Sequence, residues 1–205
     1  MKLGYPMILT CPFCGKEKKI MSLASGNTFD SELWSDNKQI APMLPEISYV
    51  QKCPHCGKYY IIRRKIVKFA KEGNSLDTGR LPFSKMKEAF AQLSEEGFID
   101  EKEEINVRMM LHHAYNDYYY RNGEERDILE EDKKLFRENG LWLINNLITD
   151  DVMKAEFYRE IGDMETAKKI LDSVVVEDDF LKQIVSSIRE RLEINNCEVF
   201  KIQSS

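Results

Sequence analysis

One phrase occurs twice in this chain, CPFCGK at Cys11–Lys16 and CPHCGK at Cys53–Lys58. A C-x-x-C turn holds two thiolates at the spacing of a tetrahedral metal site, about 2.3 Å from ion to sulfur. Proline after the first cysteine stiffens the turn. Glycine after the second can enter the left-handed region and lets backbone N–H groups approach the sulfurs. One such turn supplies half a tetrahedron, and a lone copy is also the spacing of a redox dithiol. Two copies in one frame predict a single site built from Cys11, Cys14, Cys53 and Cys56. Four thiolates leave no position for water or substrate, so the expected Zn2+ is structural. His55, between two of the ligands, reads as a solvent-facing spacer. Cys197 reads as a small apolar residue.

That cysteine usage suits a reducing compartment. No stretch approaches the ~18 apolar residues of a membrane span. The N-terminal MKLGYPMILT is too short an apolar piece for a secretory signal. The expectation is a cytoplasmic protein with no membrane partner. At 205 residues the chain is one large domain or two small ones, and its charge favours two. Residues 1–80 hold 13 Lys/Arg against 7 Asp/Glu, whereas residues 81–205 hold 17 against 28. A basic front and an acidic back suggest modules with different partners, or modules that face each other.

The hydropathy pattern divides in the same place. Each knuckle is flanked by strand-like runs: YPMILT and KEKKIMSLAS around the first, EISYVQK and KYYIIRRKIVKF around the second. Each knuckle is therefore expected at the tip of a hairpin. Turn and linker residues crowd KEGNSLDTGRLP. Beyond it the period becomes helical. Met86, Ala89, Phe90 and Leu93 form a first stripe, with Ser84 as N-cap and Gly97 as the stop; Val107, Met110, Leu111, Ala114 and Tyr118 form a second. A third helix is expected around Ile128–Phe136, then a separate apolar segment GLWLINNLI, a helix capped by Asp150 or Asp151, a turn at Gly162-Asp163, and two more helices. The fold class is thus α+β: a four-cysteine ribbon over residues 1–72, a linker over 73–82, and an all-α domain over 83–205.

Within that domain AEFYREIGDMETAKKILDSV resembles a tetratricopeptide (TPR) unit, through Ala155, Tyr158, Gly162, Ala167 and Ile170-Leu171. A small residue on each helix lets the pair approach closely. An ordinary helical bundle with a glycine turn is the alternative. The front half carries a second likeness. A CPxCG knuckle, an SGNTF…WSD segment and a second CPxCG knuckle, over roughly residues 7–68, resemble small bacterial zinc-ribbon proteins of unknown function. Paired knuckles ahead of a TPR-like tail are likewise similar to an uncharacterised bacterial family. The resemblance implies a bacterial cytoplasmic setting and a zinc site made of the four knuckle cysteines, and it implies no reaction.

Three surfaces could carry function. Phe29 and Trp34 form an exposed aromatic platform or, more simply, cover the small ribbon core. Arg63, Arg64, Lys65 and Lys68 beside Tyr59 and Tyr60 suit single-stranded nucleic acid, which stacks bases on rings and neutralises phosphates. His113 and Asp117, with His112 and Asn116, lie at i, i+4 spacing and could bind metal or relay a proton. No HExxH motif or Gly-rich phosphate loop accompanies them. The leading expectation is a non-enzymatic adaptor: a zinc ribbon joined to a helical scaffold that binds a protein. A nucleic-acid binder is the alternative, and an enzyme using His112, His113 and Asp117 a more distant one.

Overall fold

The computed structural model describes residues 1–124 and 126–202. In chain order the elements are β1 (Lys2–Leu3), β2 (Met7–Thr10), β3 (Glu17–Ile20), β4 (Leu23–Ser25), β5 (Glu32–Trp34), β6 (Gln39–Ile40), β7 (Val50–Lys52), β8 (Tyr59–Ile61) and β9 (Val67–Phe69), then α1 (Phe83–Glu96) and α2 (Glu101–Asn116). A π-helical turn over Asp117–Arg121 prolongs α2. There follow α3 (Glu130–Asn146), α4 (Asp151–Glu160), α5 (Met164–Ser173), α6 (Asp179–Glu193) and β10 (Lys201–Ile202). The protein is therefore mixed, with small antiparallel sheets in front and six helices behind. Among the described residues no helix is long and apolar enough to cross a membrane.

The chain forms two compact units, residues 1–32 with 39–107, and residues 33–38 with 108–205. The sequence placed its boundary at residues 73–82, and the structure shows why that segment does not act as a free linker. The Met21 N–H donates to the Asp77 carbonyl at 2.7 Å and the Ser48 N–H to that of Thr78 at 2.9 Å. Gly79, at φ +69, lies directly on the buried Gln51 amide, where any Cβ would collide. Polar turn chemistry reads as a linker in a sequence even when its backbone is spent on a neighbouring strand.

In the first unit β2 pairs with β3 from Met7↔Ile20 to Thr10↔Glu17, and on its other side with β9 from Met7↔Phe69 to Leu9↔Val67. A second hairpin pairs β7 with β8. Both hairpins expected from the sequence are present, each with a knuckle at its tip. The interior is small: Leu9, Ile20 and Tyr60 pack with the Cys11 and Cys53 side chains. Helix α1 buries Phe83, Met86, Ala89 and Leu93 and is fastened to β8. Gln92 binds both backbone groups of Tyr59, at 3.1 and 2.8 Å, and the Tyr59 hydroxyl donates to Glu88 at 2.6 Å. The expected N-cap is displaced. Pro82, in extended conformation, accepts the N–H groups of Lys85 and Met86 through its carbonyl, and Ser84 stands exposed inside the first turn. Gly97 ends the helix at φ +79, as expected.

In the second unit α4, α5 and α6 enclose Val152, Ala155, Leu171, Val185, Ile188 and Phe200. Each of these helices starts on an aspartate whose side chain accepts an N–H three residues on: Asp150 from Met153, Asp163 from Thr166 and Asp178 from Leu181. The third and fourth helical segments of the sequence reading are one helix. Gly140, the first residue of that fourth segment, sits inside α3, where a Cβ would come within 2.5 Å of Ile161 Cγ2. The short segment 33–38 joins this unit through β10, which pairs Lys201 with Trp34 and Ile202 with Leu33.

Candidate functional site

The two knuckles have the same backbone. In each, the first cysteine carbonyl accepts the glycine N–H at 3.0 Å, and the first cysteine N–H donates to the lysine carbonyl at 2.9 Å. Gly15 and Gly57 lie at φ +69 and +75 with open space where a Cβ would be, so conformation rather than crowding requires glycine there. The hairpins set the knuckles face to face. Cys11 Sγ lies 3.7 Å from Cys56 Sγ, and Cys14 Sγ 3.7 Å from Cys53 Sγ. All four sulfurs lie within 4.8 Å of one another. A tetrahedron with metal–sulfur bonds of about 2.3 Å has edges of about 3.8 Å, whereas a disulfide needs about 2.05 Å. The spacing therefore fits four ligands around one ion and excludes a disulfide.

The electrostatics also call for a cation. Burial works to raise the Cys53 thiol, but the Cys56 and His55 N–H groups aimed at it prevail and bring it down to about 6. At Cys14 the Lys16 N–H favours the thiolate; burial and the neighbouring sulfurs outweigh it and push the thiol up to about 12. Sulfurs this close cannot all ionise alone, and a bound dication removes the conflict. Cys11 and Cys53 are buried under the ribbon core, while Cys14 and Cys56 face outward. His55 is exposed and forms no part of the cluster.

The other sequence candidates have separate fates. Phe29 is 75% exposed, and Trp34 belongs to the helical unit, where it lies half-buried with the Arg121 guanidinium 5.1 Å above its ring. Phe29 lies in the first unit, and neither ring is among the residues of the ribbon core cluster. Arg63 is committed to a bidentate bond with Glu103, at 2.8 and 2.9 Å, while Arg64, Lys65 and Lys68 are exposed. Tyr59 and Tyr60 are buried at 4% and 3% exposure, so those two rings offer the cations no stacking surface. The basic stretch keeps its charge and lacks the rings that suggested single-stranded nucleic acid.

His112 and His113 are neither exposed nor scattered. His112 is fully buried between the rings of Phe136 and Phe157, 4.5 Å from each. Its Nε2 lies 2.8 Å from Glu160 Oε2, which also accepts from Asn116 Nδ2 at 3.0 Å. Asn116 donates in turn to Asp36 Oδ2 at 3.0 Å. Arg121 binds Asp36 and, at 2.5 Å, Asp117, which also holds Lys38 at 2.5 Å. His113 Nε2 reaches the Asp36 carbonyl at 3.2 Å. The i, i+4 pair that converges is thus His112 with Asn116. His113 and Asp117 turn to different partners. Burial drives His112 and His113 down to about 4 and Glu160 well above the usual carboxyl range, so His112 and Glu160 meet as neutral groups joined by a hydrogen bond. Asp36, against the cost of burial, is held at about 2 by His113 and Arg121. Sequence reading missed Asp36, Lys38, Arg121 and Glu160. Within the WSD segment only Ser35 and Asp36 are buried, and no local pattern marks that aspartate for burial. No family model, curated protein or solved structure matches this chain.

Proposed function

We propose that the chain is a non-enzymatic adaptor in which a structural zinc ion folds the front unit and the helical unit serves as a TPR-like scaffold for a protein partner. The observation that carries this reading is the closed set of four cysteine sulfurs at tetrahedral spacing. Such a shell has no open coordination position, which is the mark of structural sites, and two of its cysteines, Cys11 and Cys53, are themselves part of the buried ribbon cluster. The short turn between α4 and α5, with Ala155 and Ala167 fully buried, supports the scaffold part. Tetrahedral sulfur also suits iron, so metal identity is part of the test. Metal analysis of the purified protein should return one zinc per chain, and iron in its place would overturn that part. Affinity purification of the full chain from its host should recover a stoichiometric protein that survives nuclease treatment. Recovery of nucleic acid alone, or of no stoichiometric protein, would remove the adaptor reading.

A further inference from the structure

The three-stranded sheet of the ribbon ends on an open edge. Strand β9 pairs with β2 on one side and lies at the margin of the order β3-β2-β9. The pairing shows which of its backbone groups point outward. The Ala70 N–H donates to the Pro6 carbonyl at 2.9 Å, two places along from the Ile8↔Lys68 pair, so Lys68 turns its own N–H and carbonyl toward β2. Val67 and Phe69 therefore turn theirs away. The Val67 N–H is taken by the Arg64 carbonyl, where the 3-10 turn Arg64–Ile66 closes. Among the described residues, the Phe69 N–H and the carbonyls of Val67 and Phe69 meet no partner. These groups have the spacing that one more strand requires.

Proteins ordinarily guard an edge strand by keeping it short or charged. Strand β9 is short and Lys68 is charged, but Phe69 beside it is 65% exposed, the opposite of a guard. The two faces of the sheet differ. On one, Ile8 stands between Lys19 and Lys68, both exposed. On the other, Met7 stands between the buried Ile20 and the exposed Phe69, so an apolar row runs from the core to the margin. The flanks of β9 repeat the charge. Residues 63–71 hold five cations and no Asp/Glu. Arg63 is held by Glu103, whereas Arg64, Lys65, Lys68 and Lys71 face solvent. This composition selects the occupant. A second copy of the same edge brings like charge against like, while an acidic strand brings the complement.

We propose that β9 receives an extended acidic segment of a partner protein, which adds a fourth strand to this sheet. A segment of alternating character fits the edge. A carboxylate opposite Lys68 continues the row of Lys19, Ile8 and Lys68, and apolar residues on either side of it cover Phe69 and Val67. Main-chain hydrogen bonds hold the segment, and its carboxylates select it. The site lies on the ribbon and is independent of the helical scaffold in the proposed function.

Fluorescence anisotropy on the full chain tests this, with a short labelled peptide alternating valine and glutamate against the same peptide carrying lysine for glutamate. The glutamate peptide should bind at least about tenfold more tightly at low salt, and added salt should narrow the gap. Phe69→Pro removes an outward N–H without breaking an internal hydrogen bond, so binding should vanish while the unfolding midpoint stays in place. Lys68→Glu should weaken the glutamate peptide about fivefold and strengthen the lysine peptide. It keeps the test valid should Phe69→Pro disturb the fold. An oligothymidylate arm reports on the other polyanion that such charge could hold. Equal affinity for the two peptides, binding of neither at millimolar concentration, a preference unmoved by Lys68→Glu, or oligothymidylate held more tightly than the glutamate peptide would overturn the proposal.

Discussion

The two units are held together by different physics. In the ribbon, an interior of Leu9, Ile20 and Tyr60 closes over two cysteines, and backbone geometry aims four sulfurs at one point. In the helical unit, an ordinary apolar core is joined by a buried charged network through Asp36, Lys38, Asp117 and Arg121. Under the proposed function, the first arrangement would draw much of its stability from a bound ion held by those four sulfurs. The second spreads its stability over many contacts and spends some of it on buried charge, which hydrophobic packing alone would not require. A small core can tolerate an external source of stability, whereas polar groups buried without need ask for an explanation in binding or specificity.

The sharpest way to separate the units is to remove a ligand. Cys11→Ala or Cys53→Ala should unfold the ribbon, because structural zinc supplies on the order of 10–16 kcal/mol in small modules. Amide resonances of the helical unit should persist in the same spectrum. Collapse of both sets would break the comparison. Arg121→Met should do the converse. It strips Asp36 and Asp117 of a shared buried partner, for a loss of about 3–5 kcal/mol in denaturant unfolding followed by helical ellipticity. The metal content should stay at one per chain.

Acid should weaken the helical unit through its histidines. In the folded state His112 and His113 take up a proton only near pH 4, while in the unfolded chain they do so near 6.5. Between those values the unfolded state binds more protons, so stability is full above about pH 6.5 and falls as pH drops toward 4, by on the order of a few kcal/mol. Glu160 acts in the opposite sense, since its raised folded value gives stability at low pH that is lost as pH rises. Glu160→Gln should therefore steepen the acid loss. Unfolding midpoints measured across pH 4–7 check this, and a flat profile would contradict neutral buried histidines. The smallest effect is a test of packing. Gly140→Ala gains about 1 kcal/mol of helix propensity but drives a methyl into Ile161 Cγ2. Overpacking costs about 1–3 kcal/mol, so net destabilisation is expected in urea titrations. Stabilisation would show that α3 and the end of α4 are free to separate.

These contrasts also explain what could be read in advance. The metal cluster was legible because each half is a local turn, and Pro12, Gly15, Pro54 and Gly57 advertise that turn without reference to the fold. The hairpins followed from the same turns. The buried network was illegible because its members meet across the chain. Asp36 lies 80 residues from Asn116 and 85 from Arg121. Helical spacing drew attention to His113 and Asp117, yet spacing says only that two groups share a face, and both found partners elsewhere. The split of α3 into two segments near Gly140 was not resolved by the pattern, because the absence of a side chain there serves close packing against Ile161. Residues 73–82 misled because the turn residues that mark a linker also serve a segment laid against a strand.

The central claim is that a metal folds the ribbon and leaves the helical unit to fold on its own core. Residue-resolved NMR of the full chain, recorded while a chelator withdraws the metal, tests it directly. Resonances of residues 7–68 should lose their dispersion in step with the metal released, while those of residues 130–200 keep theirs. A ribbon that stays fully dispersed in metal-free protein would contradict it.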